Sequence, residues 1–419
     1  MIKLCASRGS RMVFPNLTSV LEGPYNNNVK GVLKRLCQSA QKKLKEIDVS
    51  KKALPFDKLK LENTGALQIN KDDYVDFRKY VYPESEGAYI VFINGYYRSE
   101  LSDCNGLPEE VKVMTLEEGW RSYKSFLKGY FSRRIKKESH PWVLQALAGH
   151  TDALFVYVGA ETQVSKTLQV INLITQSSAL AQPLLVSFLG EGAKMKMSVE
   201  NIFLAAGFSN LLQEQIISDN AYLECYSITK NGGYGIESIR SALSKGATMK
   251  SVSFTKNSKE QAFDYEANLN GEGAEAFLYG NWQLQNSSRA HYNVVANHFK
   301  EKTVSKQHFK GVLEDESVSS FSGKIYIDRE GQKVNAEQLN NNLLMSDEAR
   351  AYSKPFLEIF ADDVKATHGA TFGSLDEETL FYFKSRGVDE YTARRLLVKG
   401  FNREIIENIK IGSLQSQII

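Results

Sequence analysis

The chain is poor in the residues that mark the simplest kinds of chemistry. Its 419 residues hold only four cysteines, Cys5, Cys37, Cys104 and Cys225, and none forms a C-x-x-C pair. So few scattered thiols in a long chain do not make a disulfide scaffold, which fits a reducing compartment. They also argue against a self-contained zinc or iron–sulfur site, which needs about four clustered thiolate or imidazole ligands. No apolar run reaches the roughly 18 residues of a membrane span. No apolar segment of a secretory signal follows the basic stretch Met1–Arg8. The expectation is a cytoplasmic protein. Strong charge of either sign is lacking too, with 52 Lys and Arg against 49 Asp and Glu. A net charge of +3 implies no nucleic-acid partner. Gly190–Lys194 and Gly271–Ala274 are glycine-rich but lack the P-loop form, and Gly-x-Ser-x-Gly is absent. Any ATP chemistry belongs to a partner.

Proline is scarce in an informative way. Its eight copies lie at 15, 24, 55, 83, 108, 141, 183 and 355, so Leu184 to Lys354 has none. Proline cannot donate to a β ladder and is confined to edges and bulges. A long proline-free run of short strands suits a structure whose strands are nearly all central. A stacked parallel β-helix meets that description; a large sandwich or barrel also makes many short strands.

What is present is ordinary globular material, 42% hydrophobic and 24% charged, enough for two or three structural units. Residues 17–135 read as mainly helical. Val29–Ile47 carries apolar residues at three- and four-residue steps, Lys71–Tyr80 is a weaker helix, and Leu116–Tyr130 and Trp142–Ala148 are further helices. Ala88–Arg98 reads as a hairpin turning at Asn94–Gly95. From about residue 152, strand-like runs follow one another, from Leu154–Val158 to Phe356–Phe360, with no exact repeat. Asn335–Asn342 is amide-rich and reads as either a stacked ladder or a polar loop. After residue 374, Asp376, Asp389 and Asn402 are N-caps for helices Glu377–Arg386, Glu390–Lys399 and Arg403–Ile409, with Gly387 and Gly400 as stops.

From His291 onward, specific segments carry a resemblance. They are Lys310–Leu313, Phe321–Ile327, Ala336–Asp347 (AEQLNNNLLMSD) and, above all, Leu357–Thr371 (LEIFADDVKATHGAT). Leu375–Glu377, Leu380–Tyr382 and Ser385–Gly387 continue it. Together they resemble the SufB/SufD family, and the helical N-terminal part without a cysteine cluster is similar to the SufD branch. The resemblance implies a mainly β fold, a right-handed parallel β-helix flanked by N- and C-terminal α-helical regions. The expected division is 1–140 helical with a small hairpin, 141–373 β-helix, and 374–419 helical. It further implies a non-catalytic scaffold for iron–sulfur cluster assembly, with a possible homodimer in isolation. Its expected partners are a SufB-like paralogue and a SufC-like ATPase that docks on the C-terminal helices around Asp376, Glu377, Phe381 and Arg386. Iron or a cluster would be shared only transiently with SufB. Ala366 departs from the family, where cysteine is common two residues before the motif histidine, so this segment offers no thiolate.

The leading candidate residue is His368. Imidazole can ligate iron and replace thiolate in cluster sites, and Thr367, Gly369 and Ala370 leave room beside it. The other reading is a histidine hydrogen-bonded within the stack. Asp362, Asp363 and Lys365 form a charged knot, read either as iron capture or an interfacial salt bridge, or as a solvated turn. His291, His298 and His308 read as structural, and Cys225 as a small buried hydrophobe. Two further functions fit parts of the sequence. A carbohydrate-active β-helix enzyme of the polysaccharide-lyase kind would use Asp362, Asp363 and Lys365 as acid/base groups. A nucleic-acid binder would use Arg394, Arg395 and Lys399.

Overall fold

The structure, a computed structural model, describes residues 33–47, 75–177, 179–256 and 258–418. Met1–Arg8, Cys5 and the beginnings of two helix candidates, at 29–32 and 71–74, lie outside the described residues. The chain is mainly β, a parallel solenoid of about eight turns with helices at both ends.

Helix α1 (Lys34–Glu46) buries Leu36, Ala40 and Leu44, the stripe that its spacing predicts. The described part of the weaker candidate, from residue 75, contributes a 3₁₀ turn, Arg78–Tyr80. Strands β1 (Tyr89–Ile93) and β2 (Tyr96–Tyr97) form the expected hairpin. Asn94 and Gly95 supply the positive φ values, 52° and 82°, of its tight turn. After β3 (Val111–Thr115), a capping box of Thr115 and Glu118 opens α2 (Leu116–Ser122). The single helix expected over Leu116–Tyr130 is broken at Tyr123, whose ring stacks on Tyr157 at 4.9 Å, and α3 (Lys124–Lys137) starts there. Helix α4 (Pro141–Gly149) follows.

The solenoid alternates between two sheets. Its strands are β4 (Ala153–Val158), β5 (Gln163–Ile174), β6 (Leu180–Ala181), β7 (Leu184–Leu189), β8 (Lys194–Phe203) and β9 (Phe208–Ile217). They continue as β10 (Tyr222–Lys230), β11 (Tyr234–Leu243), β12 (Thr248–Lys256), β13 (Glu260–Leu269), β14 (Glu275–Leu284) and β15 (Arg289–His298). The last are β16 (Val304–Leu313), β17 (Val318–Ile327), β18 (Val334–Leu344), β19 (Arg350–Ile359) and β20 (Val364–Ser374). One sheet runs β2-β1-β5-β8-β10-β12-β14-β16-β18-β20 and the other β19-β17-β15-β13-β11-β9-β7-β4-β3. Strands β9 and β11 fall where the sequence texture marks none. Every residue of β9 is buried, Asn210, Gln213, Glu214 and Gln215 among them, so no polar/apolar alternation survives. The amide-rich run is strand β18, which decides the ladder against the loop. Pro355 lies in β19, the last strand of its sheet, where a missing N–H costs nothing.

One corner of the coil is itself a ladder. Glu161, Gly192, Asn220, Gly246, Gly273, Lys302 and Lys333 all have positive φ. Each donates its N–H to the next turn, Glu161 to Glu191 and so on to Lys333, whose acceptor is the Asp363 carbonyl at 2.6 Å. Helix α3 is tied to the outside of the other sheet by buried ions. Arg134 pairs with Glu138 and Glu214, and Arg240 with Glu138 and Asp264. Burial raises the Glu138 pKa, but Arg240 and Arg134 outweigh it and hold the carboxyl at about 2.

The C-terminal helices are α5 (Glu377–Ser385), α6 (Glu390–Ile406) and α7 (Gly412–Ile418). The expected stop at Gly400 and restart at Asn402 do not occur. An interior glycine costs only about 1 kcal/mol. Asn402 is buried and accepts from Asn281 Nδ2 at 2.8 Å instead of capping a helix. Ile405, Ile406, Ile409 and Leu414 pack with Tyr226, Val252 and Phe254. The helical unit therefore lies back along the outer face of the first sheet, and among the described residues the last turn of the coil stays uncovered.

Candidate functional site at the open end of the solenoid

On β18, Ala336, Gln338, Asn340 and Asn342 point into the bore and are 0 to 3% exposed. Gln338 Nε2 donates to Gln307 Oε1 of the turn below at 2.9 Å. Register pairs these four with Ala366, His368, Ala370 and Phe372 of β20. Successive side chains alternate across a strand, so His368 continues the inward-facing column of Gln307 and Gln338. Among the described residues no strand lies above it. His368 and Ala370 are exposed, and Phe372 is 49% exposed. His368 is thus not enclosed within the stack.

Strands β19 and β20 each end their sheet, so one edge of each carries unpaired N–H and C=O groups. Tyr352 and Phe356, on one face of β19, and Phe360 just beyond it are all more than half exposed. Exposed apolar side chains beside an unpaired strand edge are features that favour contact with another chain. The signal for it in the sequence was the four-residue spacing of these aromatics.

The charged knot does not gather round the imidazole. Asp362 and Asp363 occupy the corner turn after β19, both exposed, and Asp363 N–H donates to Gln332 Oε1 at 3.0 Å. His368 lies five residue steps along the extended chain from Asp363, roughly 17 Å. Lys365 and Thr367 lie on the opposite face of β20 from His368 and are exposed. Among the described residues no three His, Cys, Asp or Glu side chains come together as a metal site.

The other histidines are held structurally. His298 is buried between Thr303 and Ser305, and burial lowers its pKa to about 4. His291 Nδ1 is 2.8 Å from Ser320 Oγ. His308 lies under α6. Cys225 is fully buried in the bore, and burial pushes its thiol well up. A feature that the sequence did not announce is Glu237, also in the bore, which accepts from Gln213 Nε2 at 2.6 Å. Burial raises its carboxyl to about 7, against the hydrogen bonds from Ser227, Gln213 and Asn201.

In the helical unit, Asp376 caps α5, accepting from the N–H groups of Glu378 and Thr379. Glu377 opens that helix; its side chain is outside the described set. Phe381 is 73% exposed, and Arg386 lies over the Tyr382 ring at 5.2 Å. Tyr391 and Leu396 add to the exposed apolar surface of α6.

Comparison with known proteins agrees with this architecture. Residues 150–401 match the family described as SUF system FeS cluster assembly, SufBD core domain, and residues 40–170 match the SufBD protein N-terminal region. An iron–sulfur cluster assembly SufBD family protein of Synechocystis is 26% identical over 356 residues, covering 80% of this chain and 77% of its own. The iron–sulfur cluster assembly protein SufD of Bacillus subtilis is 25% identical, covering 71% of this chain and 70% of its own. SufD of Escherichia coli is 37% identical over 115 residues, 27% of each chain. With the core model spanning more than half of its length, the chain belongs to the SufBD family of iron–sulfur cluster assembly proteins.

Proposed function

We propose that this chain is a SufD-type scaffold whose open end pairs with a SufB-like paralogue. In this reading the nascent iron–sulfur cluster is cargo, assembled at the boundary of the two chains with His368 as one ligand. The exposed last turn, β19 and β20, carries the proposal. A bare sheet edge beside aromatics and an accessible imidazole is built to meet another polypeptide. One imidazole cannot hold a cluster, so the remaining ligands come from the partner. The exposed face of α5 and α6, with Phe381, Tyr391 and Leu396, takes a SufC-like ATPase, and hydrolysis occurs there. The scaffold itself catalyses no reaction. It works in a reducing cytoplasm, where Cys37, Cys104 and Cys225 stay unpaired. The lyase alternative needs Asp362, Asp363 and Lys365 as one acid/base group. They are spread over a corner turn and the outer face of an edge strand.

The test is co-purification from cells expressing the three components. The wild-type chain brings down both partners. Phe356→Asp with Phe372→Asp loses the paralogue and keeps the ATPase, and Phe381→Asp does the reverse. Full retention of the paralogue by the first variant overturns the assignment of the open end.

A further inference from the structure

Two helices packed on the first turns of the solenoid concentrate the positive charge of the chain. Helix α1 reads KRLCQSAQKKLKE and α3 reads KSFLKGYFSRRIKK. Together they hold eleven of the 52 basic residues and one of the 49 acids. The net charge of +3 is therefore the sum of a basic cap and a body in which acids outnumber bases. The two helices touch and bury Leu36, Leu44, Leu127 and Phe131 in one cluster, so their outer faces adjoin. Arg134 turns inward to Glu138 and Glu214. The other basic side chains of the pair lie at the surface. Among the described residues, only Lys43 of these forms an ion pair, 3.9 Å from Glu46 on its own helix.

The placement of these charges opposes local stability. Helix N-termini favour acids, and the chain follows that rule elsewhere. Glu117 and Glu118 open α2, and Asp389 and Glu390 open α6. Helix α1 opens instead with Lys34 and Arg35, and α3 with Lys124, with neither an acid in the first turn nor a side-chain cap. Lys124 and Lys128 repel at four-residue spacing, as do Arg133 and Lys137. Lysines in the last turns suit the helix dipole and carry no message. The rest of the chain supplies no cover of opposite sign. Residues 1–32 hold four basic residues and one acid, and 48–74 hold five of each. A surface kept basic at a cost to its own helices fits an anionic partner.

We infer that the outer face of α1 and α3 is a docking surface for a membrane rich in anionic lipid. The kind of base chooses lipid over other polyanions. All the outward basic residues except Arg35 and Arg133 are lysines. Lysine is depleted in protein interfaces, where arginine is enriched. It also lacks the planar fork that grips the phosphates of a nucleic acid bidentately. As a point charge it suits a fluid sheet of headgroups, where each lysine near the surface strengthens binding about fivefold. Phe126, between Lys124 and Lys128 in sequence, is 39% exposed and is the type of ring that enters the headgroup boundary. The apolar faces of both helices are already buried in the cluster, so attachment is through charge and salt reverses it. The face lies away from β19 and β20 and does not compete with the pairing proposed above.

The test is sedimentation of the complete chain with vesicles of phosphatidylcholine alone, and of phosphatidylcholine and phosphatidylglycerol in equal parts. The chain should bind the mixed vesicles at low salt, leave the neutral ones free, and be released at about 0.5 M salt. Lys42→Gln with Lys128→Gln, one from each helix and both exposed, should weaken binding more than about tenfold. Lys300→Gln with Lys302→Gln removes the same charge from corner turns, where Glu330 and Glu272 pair with these lysines. It should change binding less than about twofold. Four results each overturn the assignment. They are no binding to mixed vesicles, equal binding to neutral ones, equal loss in the two double variants, and tighter binding per phosphate to a thymidine oligonucleotide, which would give the face to nucleic acid. Co-purification tests the open end separately, so the failure of one reading is distinguishable from the failure of the other.

Discussion

The two ends of the solenoid solve the same problem in different ways. Every parallel stack has a first and a last turn whose strands lack a neighbour on one side. At the first turn the chain closes the edges itself. Strand β2 pairs antiparallel with β1, β3 pairs antiparallel with β4, and the helices bury Leu144 and Phe155 completely. At the last turn β19 and β20 have no further strand among the described residues, and bore-facing positions that are shut one turn below become exposed. Among the described residues the chain caps one end of the stack and leaves the other open. The proposed pairing with another chain rests on this difference.

The sharpest way to break this contrast is a pair of equivalent truncations. Phe155→Ala at the closed end removes a fully buried ring from the contact between β4 and α2, where a Cβ on Gly119 would lie 2.6 Å from it. It should cost about 3–5 kcal/mol. Phe356→Ala at the open end removes a ring 53% exposed and should cost less than about 1 kcal/mol. Denaturant midpoints at unchanged slope measure both. Equal losses would mean that the last turn is packed within this chain after all.

A second contrast lies between the interior and the open end. Glu237 is an acid kept inside the bore, whereas His368 is a base kept outside it. Burial raises the Glu237 carboxyl from 4.5 to about 7, so the folded state holds a proton that the unfolded chain has released. Stability from this group is therefore present at low pH, falls as pH rises from about 4.5 through 7, and stays low above that. The difference, 4.5 to about 7, corresponds to roughly 3 kcal/mol. Glu237→Gln should be more stable than the parent by up to that amount at pH 8 and equal to it near pH 4. Unfolding curves at the two values check it, and a pH-independent difference would show that Glu237 is not held protonated.

Much of the architecture could be read in the residues, because the physics behind it is local. The proline-free span ends where the stack ends, at Pro355 on an edge strand. Asn94–Gly95 can only turn tightly, and Asp376 and Asp389 cap the helices expected of them. What escaped depends on contacts between turns. Strand β9 hides its polar residues among partners far away in sequence. The corner ladder needs positive φ, but Lys302 and Lys333 occupy two of its positions as readily as glycine occupies others, so no repeat of residue type records it. The spacing between stacked partners also drifts, from Tyr222 with Thr248 to Val318 with Arg350. His368 was legible as a residue. Its surroundings were not, since Asp362, Asp363 and Lys365 lie close in sequence while the turn and the pleat separate them from it. Its true neighbours in the column, Gln338 and Gln307, come from other turns.

The smallest expected change in stability belongs to the residue of greatest functional interest. His368 is exposed, and the β ladder that holds its backbone does not depend on the side chain. His368→Ala should therefore shift stability by no more than about 0.5 kcal/mol and leave both partners bound. Cluster formation on the assembled complex, followed by the visible absorbance of the iron–sulfur chromophore, should nonetheless fall severalfold. That combination separates a ligand from a structural residue: a histidine serving the stack would lower stability and cluster yield together. A normal yield in the variant would mean that the open end joins two chains without this imidazole taking part in the chemistry between them.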